Sequence, residues 1–161
     1  MGETDYVIRD LTIRKEGVID FRELYKLMKE WCKQRKYQFL EKEYSDKDSE
    51  KSKTLLVRWE FRKKVDDYTR EIIDTIIKGS NLKEAKTTRK KVFQGSILIS
   101  FDAYVEKDYE ENWGVNPVSK FIREVFDKIV MNQHFDKVNK ELRNETYALF
   151  DELKKYIKAS S

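Results

Sequence analysis

Cysteine and histidine are almost missing from this sequence, since each occurs once in 161 residues. The single thiol, Cys32, excludes an internal disulfide and any thiolate cluster for zinc or iron–sulfur centres. We expect Cys32 to be a small buried hydrophobe on a helix and the only imidazole, His134, to lie at a helix break. Neither position suits the nucleophile or the base of covalent catalysis. We therefore predict that the protein is not an enzyme, with no catalytic residue, no cofactor and no metal site.

Glycine is scarce and long apolar runs are absent. The five glycines are scattered singly, so neither a phosphate-binding loop nor a dinucleotide fingerprint is present. No apolar run approaches the ~20 residues that span a bilayer, so we expect no membrane insertion. The first ten residues lack the basic start and apolar stretch of a secretory signal. With the lone cysteine, these features lead us to expect a cytoplasmic protein.

Charged residues are abundant, but the two signs nearly cancel. The 34 basic and 30 acidic residues leave a net charge of +4, which indicates a surface rich in ion pairs and not a polycation. Hydrophobic residues make up 39% of the chain, enough for a core. A chain of 161 residues has the size of one domain. We therefore predict a single domain over residues 1–161.

Hydrophobic periodicity in most of the chain predicts strands around one amphipathic helix. Asp20 is placed as the N-cap of that helix, which covers residues 21–36 and carries one apolar stripe. A polar hairpin loop is predicted at residues 45–53. In the strand after it, alternate residues from Leu55 to Phe61 face one side. The predicted strands are residues 6–14, 37–44, 54–62 and 95–109.

Residues 66–79 fit two structures. Apolar residues recur at helical spacing between an aspartate and a glycine that could cap a helix. The same residues are dense in isoleucine and threonine, which favour strands. We predict a strand, because antiparallel neighbours joined by a short turn at residues 78–83 then follow naturally. Residues 82–93 would form an irregular basic edge strand, where lysine discourages aggregation.

Capping residues and hydrophobic spacing in the C-terminal third of the chain predict helix. Asn116 as N-cap and Pro117 at the first helical position mark its start, and apolar residues recur at helical spacing as far as Ile157. The stretch is either one helix of about forty residues or two helices with a break between Asn132 and His134. One helix of that length would measure ~60 Å, which exceeds the width of such a domain. We therefore expect a bend or a break.

This order of elements predicts an α+β fold. A curved antiparallel sheet of five or six strands would pack on an N-terminal helix and a long C-terminal helix. The order resembles the helix-grip, or START-like, architecture, in which a curved sheet wraps a long terminal helix. The resemblance is topological, covers most of the chain and implies no activity.

A second resemblance concerns the segment ISFDAYVEKDYEENWGVNPVSKFIREVFDKIV, residues 99–130. Its order of strand, KDYE, tryptophan, proline, phenylalanine and helix is similar to that of small uncharacterised archaeal proteins. No activity is attached to that group, so the resemblance adds nothing about function.

Three functions remain open, and we rank a protein-interaction module first, with self-association as one form of it. Apolar residues on the strand faces opposite the predicted core would form an exposed patch if they align across the sheet. Such patches mark partner or homodimer surfaces. These residues are Ile8, Leu40, Tyr44, Leu56, Leu98 and Tyr104.

The second function is that of a carrier or receptor for an apolar small molecule. Such a ligand would lie between the sheet and the terminal helix, as in helix-grip proteins. The inward residues are uniformly apolar, so few polar groups would orient it. The predicted lining is Trp59, Phe61, Phe101, Phe121 and Val125.

Nucleic-acid association ranks third. The basic segments could neutralise several phosphates if the end of the first helix and the basic edge strand converge. Acidic residues interleave through most of the chain, and no recognition motif such as the paired sheet aromatics of an RRM is present. Nucleic acid is therefore the least favoured partner. The predicted patch is Lys33, Arg35, Lys36, Arg62, Lys63, Arg89, Lys90 and Lys91.

Overall fold

Five antiparallel strands and two helices make up the part of the chain that the structure describes. The structure is a computed structural model, and it describes residues 3–86, 91–107 and 132–159. The elements are β1 (Glu3–Ile19), α1 (Phe21–Gln34), β2 (Gln38–Asp48), β3 (Lys53–Lys64), β4 (Thr69–Lys86), β5 (Lys91–Lys107) and α2 (Asn132–Ala159). The predicted α+β class is confirmed.

The strand prediction for residues 66–79 is confirmed by β4. Ile73 and Ile77 are buried towards the helices, while Asp74 between them lies on the opposite side of the sheet, as the two-residue period of a strand requires. Asp66 begins no helix. Its carboxylate accepts the backbone N–H groups of Tyr68, at 2.8 Å, and Thr69, at 2.7 Å, and so stabilises the turn from β3 to β4.

The strand order is β1-β5-β4-β3-β2, so the edge strands are β1 and β2. The edge strand predicted at residues 82–93 was wrong, because its described residues belong to the ends of the central strands β4 and β5. The turn predicted at residues 78–83 was also wrong. These residues lie within β4, where the pairing with β5 shifts between Ser80 and Lys83 and Asn81 has a φ of 53°. Turn-forming residues here form a β-bulge.

Both helices pack on one face of the sheet, which we call the inner face; the other is the outer face. The apolar stripe of α1 is buried there, and α2 adds Leu142, Leu149 and Leu153. Alternate residues of β3 and β5 meet them, as predicted. Asp20 caps α1 by accepting the N–H groups of Arg22, at 3.0 Å, and Glu23, at 3.2 Å. The N-cap prediction is confirmed.

Two bulged strands reverse the predicted faces of two residues. In β1 the register shifts on both sides of Ile8, which lies opposite Ala103 and is buried in the core. In β2 the register shifts between Glu41 and Glu43, so Tyr44 lies opposite Val57 on the inner face. The outer-face placement of Ile8 and Tyr44 was therefore wrong, because each bulge adds a residue and reverses the alternation after it.

The predicted helix start at Asn116 lies outside the described residues, and so does the question of one helix or two. The described helix α2 begins at Asn132, and His134 lies in its first turn. The Nε2 atom of His134 is 3.2 Å from the Oδ2 atom of Asp66. Among the described residues, no helix combines the length and the apolar character needed to cross a membrane.

Candidate functional site

A pocket of about 150 Å³ lies between α1 and the inner face of the sheet; we call it the α1 pocket. Phe21 and Tyr25 of α1 line it together, because residues four apart share one face of a helix. Alternate residues of β3 supply Leu55, Val57 and Trp59, whose side chains point to the same face of the strand. The walls on these two sides are almost entirely apolar.

The remaining apolar wall comes from the two central strands. Ile77 and Leu82 of β4 and Phe93 of β5 line the pocket. Leu82 faces the pocket because the bulge at residues 80–83 adds one residue to β4 and so reverses the alternation of its side chains there. Phe93 packs edge-on against Phe21, with ring centroids 5.8 Å apart. This ring pair closes one end of the α1 pocket.

Aromatic contacts position the indole of Trp59. Its ring centroid lies 5.8 Å from that of Tyr25 in an edge-to-face arrangement and 5.1 Å from that of Phe39. Trp59 is only 5% exposed, and its buried Nε1 atom has no hydrogen-bond partner in the described part of the chain. A buried indole N–H ordinarily finds an acceptor.

Polar side chains of the lining come from β2 and the start of β3. Glu41 and Tyr44 of β2 are exposed, Tyr44 by 61%. The Lys53 Nζ atom lies 3.5 Å from the Oδ2 atom of Asp46 and 5.6 Å from the ring centroid of Phe93. Charge therefore lies at the exposed rim, while the interior offers apolar surface.

The chain matches no known protein family, no curated protein and no solved structure. A function for this chain therefore rests on its own residues and their geometry.

A buried polar cluster lies elsewhere on the inner face, between the sheet and α2. The Tyr37 hydroxyl donates to the Oε2 atom of Glu71 over 2.9 Å, and the Lys63 Nζ atom lies 3.4 Å from the Oε1 atom of Glu145. Burial raises the pKa of Glu71 to about 7. Burial and the neighbouring carboxylates also raise the pKa of Tyr37. Because Glu71 is only 2% exposed, the cluster holds a proton out of reach of a dissolved substrate.

Metal binding has no support in the described ranges. Within residues 3–86, 91–107 and 132–159, no group of three or more histidine, cysteine, aspartate or glutamate side chains could hold a metal ion.

One of the five residues predicted to line a ligand site lies in the α1 pocket, namely Trp59. Phe61 and Phe101 are fully buried in the hydrophobic core, where α2 leucines also pack. Phe121 and Val125 lie outside the described residues. The predicted space along the terminal helix is thus packed with side chains at Phe61 and Phe101, and the pocket lies under the first helix instead.

The predicted partner surface keeps Leu40, Leu56, Leu98 and Tyr104 on the outer face, but it is not continuous. Tyr104 and Leu98 are six residues apart on β5, roughly 20 Å along the strand. The outer-face position between them nearest to Tyr104 is Asp102, which lies opposite Asp74. Carboxylates therefore interrupt the apolar surface.

The described part of the predicted basic patch is divided between the two ends of the sheet. Arg62 of β3 lies opposite Ile72 of β4, and Ile72 lies opposite Tyr104 of β5. Lys91 is the first residue of β5, thirteen residues before Tyr104 and roughly 40 Å away along the strand. Arg62 forms an ion pair with Glu60 on the outer face, and Lys63 points to the inner face. Lys33 lies in the last turn of α1, and Arg35 and Lys36 follow that helix just before Gln38, which lies opposite Arg62. Arg89 and Lys90 lie outside the described residues.

Sequence reasoning missed most of the α1 pocket. Leu82 and Phe93 lie in the segment that was predicted as an edge strand, and Phe21 and Tyr25 belong to the apolar stripe predicted for α1, to which no ligand was assigned. The usable signal was the four-residue spacing of those two aromatic residues, which places both rings on one helix face.

Proposed function

We propose that this protein binds a small, ring-containing apolar molecule in the α1 pocket. The observation that carries the proposal is a pocket whose walls on α1, β3, β4 and β5 are apolar and whose charged lining residues lie at its exposed rim. A dry cavity of about this volume suffices for a molecule the size of benzene. The protein acts as a carrier or receptor and carries out no reaction.

This proposal keeps the ligand-binding hypothesis drawn from the helix-grip resemblance but moves the site from the terminal helix to α1. A cytoplasmic location, supported by the lone buried cysteine, belongs to the same proposal. A protein-interaction module ranks second, because bulges move two residues of its surface and carboxylates interrupt the rest.

Titration of the ¹⁵N-labelled protein with acetophenone and ethylbenzene tests the binding site. Both molecules are small and contain one ring, and we expect both to bind and to shift the indole N–H of Trp59, whose side chain lines the pocket. The indole N–H of Trp31, also buried and without a partner in the described ranges, lies outside the pocket and serves as internal control.

Variants on neighbouring positions of β3 separate the pocket from the sheet as a whole. Val57→Phe adds a ring to the pocket and should weaken acetophenone binding by roughly tenfold or more. Leu56→Phe, on the outer face of the same strand, should leave the affinity unchanged. Equal affinity in the two variants, or no binding of either compound to the unchanged protein, contradicts the proposal.

A further inference from the structure

The outer face carries a groove of about 530 Å³ near the start of β5; we call it the outer-face groove. Leu56, Lys78, Leu98 and Arg14 lie opposite one another in one row across β3, β4, β5 and β1. Neighbouring strands are about 4.8 Å apart, so Arg14 and Lys78 flank Leu98 at roughly 10 Å from each other. Two long cationic side chains at that separation can reach one anionic group.

Hydroxyl groups follow two residues along the same face. Ser80 of β4 lies opposite Ser96 of β5, and both line the groove. Residues two apart on a strand are roughly 7 Å apart. The hydroxyls therefore lie within reach of a group bound between Arg14 and Lys78, and each can donate one hydrogen bond.

Arg14 and Lys78 differ from other cations of the outer face. Arg58, Arg62 and Arg70 each form an ion pair with a carboxylate, namely that of Glu43, Glu60 and Glu106 respectively. Arg14 and Lys78 are exposed and form no ion pair with any residue in the described ranges. Their charges are therefore free to bind a ligand.

The floor of the groove is apolar beside these charges. Leu56 and Leu98 are half-buried on either side of Lys78. Glu16 and Lys15 also line the groove, but the Nζ atom of Lys15 is directed to the inner face, where it donates to the Ile157 carbonyl oxygen. The formal charge on the outer face is therefore +1, from Arg14, Lys78 and Glu16. A net charge of one favours a monoanion over a phosphate dianion.

We propose that the outer-face groove binds a monocarboxylate with a short hydrocarbon chain. The Arg14 guanidinium donates two parallel hydrogen bonds to the carboxylate, a geometry that suits this pair of groups. Lys78 adds a second charge, Ser80 and Ser96 donate to the remaining lone pairs, and the chain lies on Leu56 and Leu98. The charged head fixes the orientation and the apolar chain supplies buried area.

Octanoate, used below its micelle concentration, is the probe for this site. In titrations that follow the backbone amides of Lys78 and Leu98, we expect octanoate to bind at least roughly tenfold more tightly than 1-octanol, which lacks the charge. Acetate, which lacks the chain, and inorganic phosphate should also bind more weakly. Octanol or phosphate binding as tightly as octanoate would overturn the proposal.

Replacing cations that have an ion pair and cations that have none on the same face provides a matched comparison. The double variant Arg14→Gln, Lys78→Gln should weaken octanoate binding by roughly tenfold or more. Arg58→Gln removes a charge from the same face at a paired residue and should leave the affinity within about twofold. All of these side chains are exposed, and a thermal melt of each variant checks that it folds. An unchanged affinity in the double variant overturns the proposal.

The groove and the α1 pocket lie on opposite faces, so the two proposals fail independently. Val57→Phe should leave octanoate binding intact. If this variant abolishes octanoate binding and the ligand shifts the Trp59 indole, octanoate binds in the pocket and the groove proposal is wrong. Binding to phosphatidylglycerol vesicles without binding of monomeric octanoate marks a membrane-docking surface, which also overturns it.

Discussion

At the scale of single residues, Glu71 has the most unusual environment in the described chain. It lies on the inner face of β4, 2% exposed, with the Tyr37 hydroxyl as its hydrogen-bond donor. Desolvation is the largest cause of its raised pKa, and the nearby carboxylates of Glu145 and Glu141 add to it, while Tyr37 and Lys63 oppose it. The folded protein therefore favours the neutral carboxyl group.

The pH dependence of stability follows from this shift. The pKa of Glu71 rises from 4.5 to about 7 on folding. Its stabilising contribution is full below pH ~4.5 and is lost as the pH rises to about 7, because the unfolded chain gives up the proton first. Glu71→Gln should therefore gain about 3 kcal/mol in unfolding free energy between pH 4 and pH 8, relative to the unchanged protein.

Urea unfolding at several pH values measures this difference. Glu152→Gln, an exposed position on α2, is the matched control and should follow the unchanged protein at every pH. If Glu71→Gln also parallels the unchanged protein between pH 4 and pH 8, Glu71 is ionised in the folded state.

At the scale of elements, the long central strands depend on a close approach at Gly95. A Cβ atom there would lie 2.7 Å from the Asn81 carbonyl oxygen and 2.9 Å from that of Ser80. Both oxygens belong to the bulge of β4, which cannot move without disturbing the ladder. Gly95→Ala should therefore destabilise the protein by about 2 kcal/mol or more, whereas Ser96→Ala should change little.

Thermal or urea unfolding of these two variants, together with acetophenone affinity, checks the role of the bulge. The bulge also positions Leu82 in the α1 pocket, so Gly95→Ala should weaken binding as well. A stable Gly95→Ala variant would show that the two strands separate easily at this point.

At the scale of the whole molecule, one hydrophobic core contains residues of both helices and of the inner face of the sheet. Residues of α1 such as Met28, of β5 such as Phe101 and of α2 such as Leu142 belong to a single buried cluster. Leu142 is fully buried. Leu142→Ala should cost about 2–5 kcal/mol and shift every probe of unfolding together, because the core is shared.

Tryptophan fluorescence and far-UV circular dichroism in urea give the two probes. Trp31 and Trp59 report on α1 and the sheet, far along the chain from position 142. Coincident midpoints in the variant are expected, and Tyr147→Ala, exposed on the same helix, should shift them much less. Separate transitions would mean that α2 unfolds on its own.

Much of the fold was predictable, because periodicity and capping depend on neighbours along the chain. Alternation from Leu55 to Phe61 identified a strand and its buried face, and Asp20 identified the start of α1. The high density of isoleucine and threonine correctly predicted a strand at β4. Conversely, the composition of residues 78–83 suggested a turn, because a bulge and a turn use the same residues.

The candidate site was less predictable, since bulges arise from pairing with strands that are distant in sequence. Tyr44 reached the rim of the pocket through a register shift against β3, and Leu82 reached its wall through another against β5. A slip of one residue reverses every later side chain on a strand. Local alternation alone therefore placed Ile8 and Tyr44 on the wrong face.

By itself the sequence determined the α+β class, the buried faces of β3 and β5 and the shortage of residues for metal or thiol chemistry, because these depend on local pattern and composition. Only the tertiary structure decided that a pocket lies under α1, that Glu71 is buried with a raised pKa, and that Arg14 and Lys78 flank Leu98. These features depend on register between strands, which hydrogen bonding across the sheet sets.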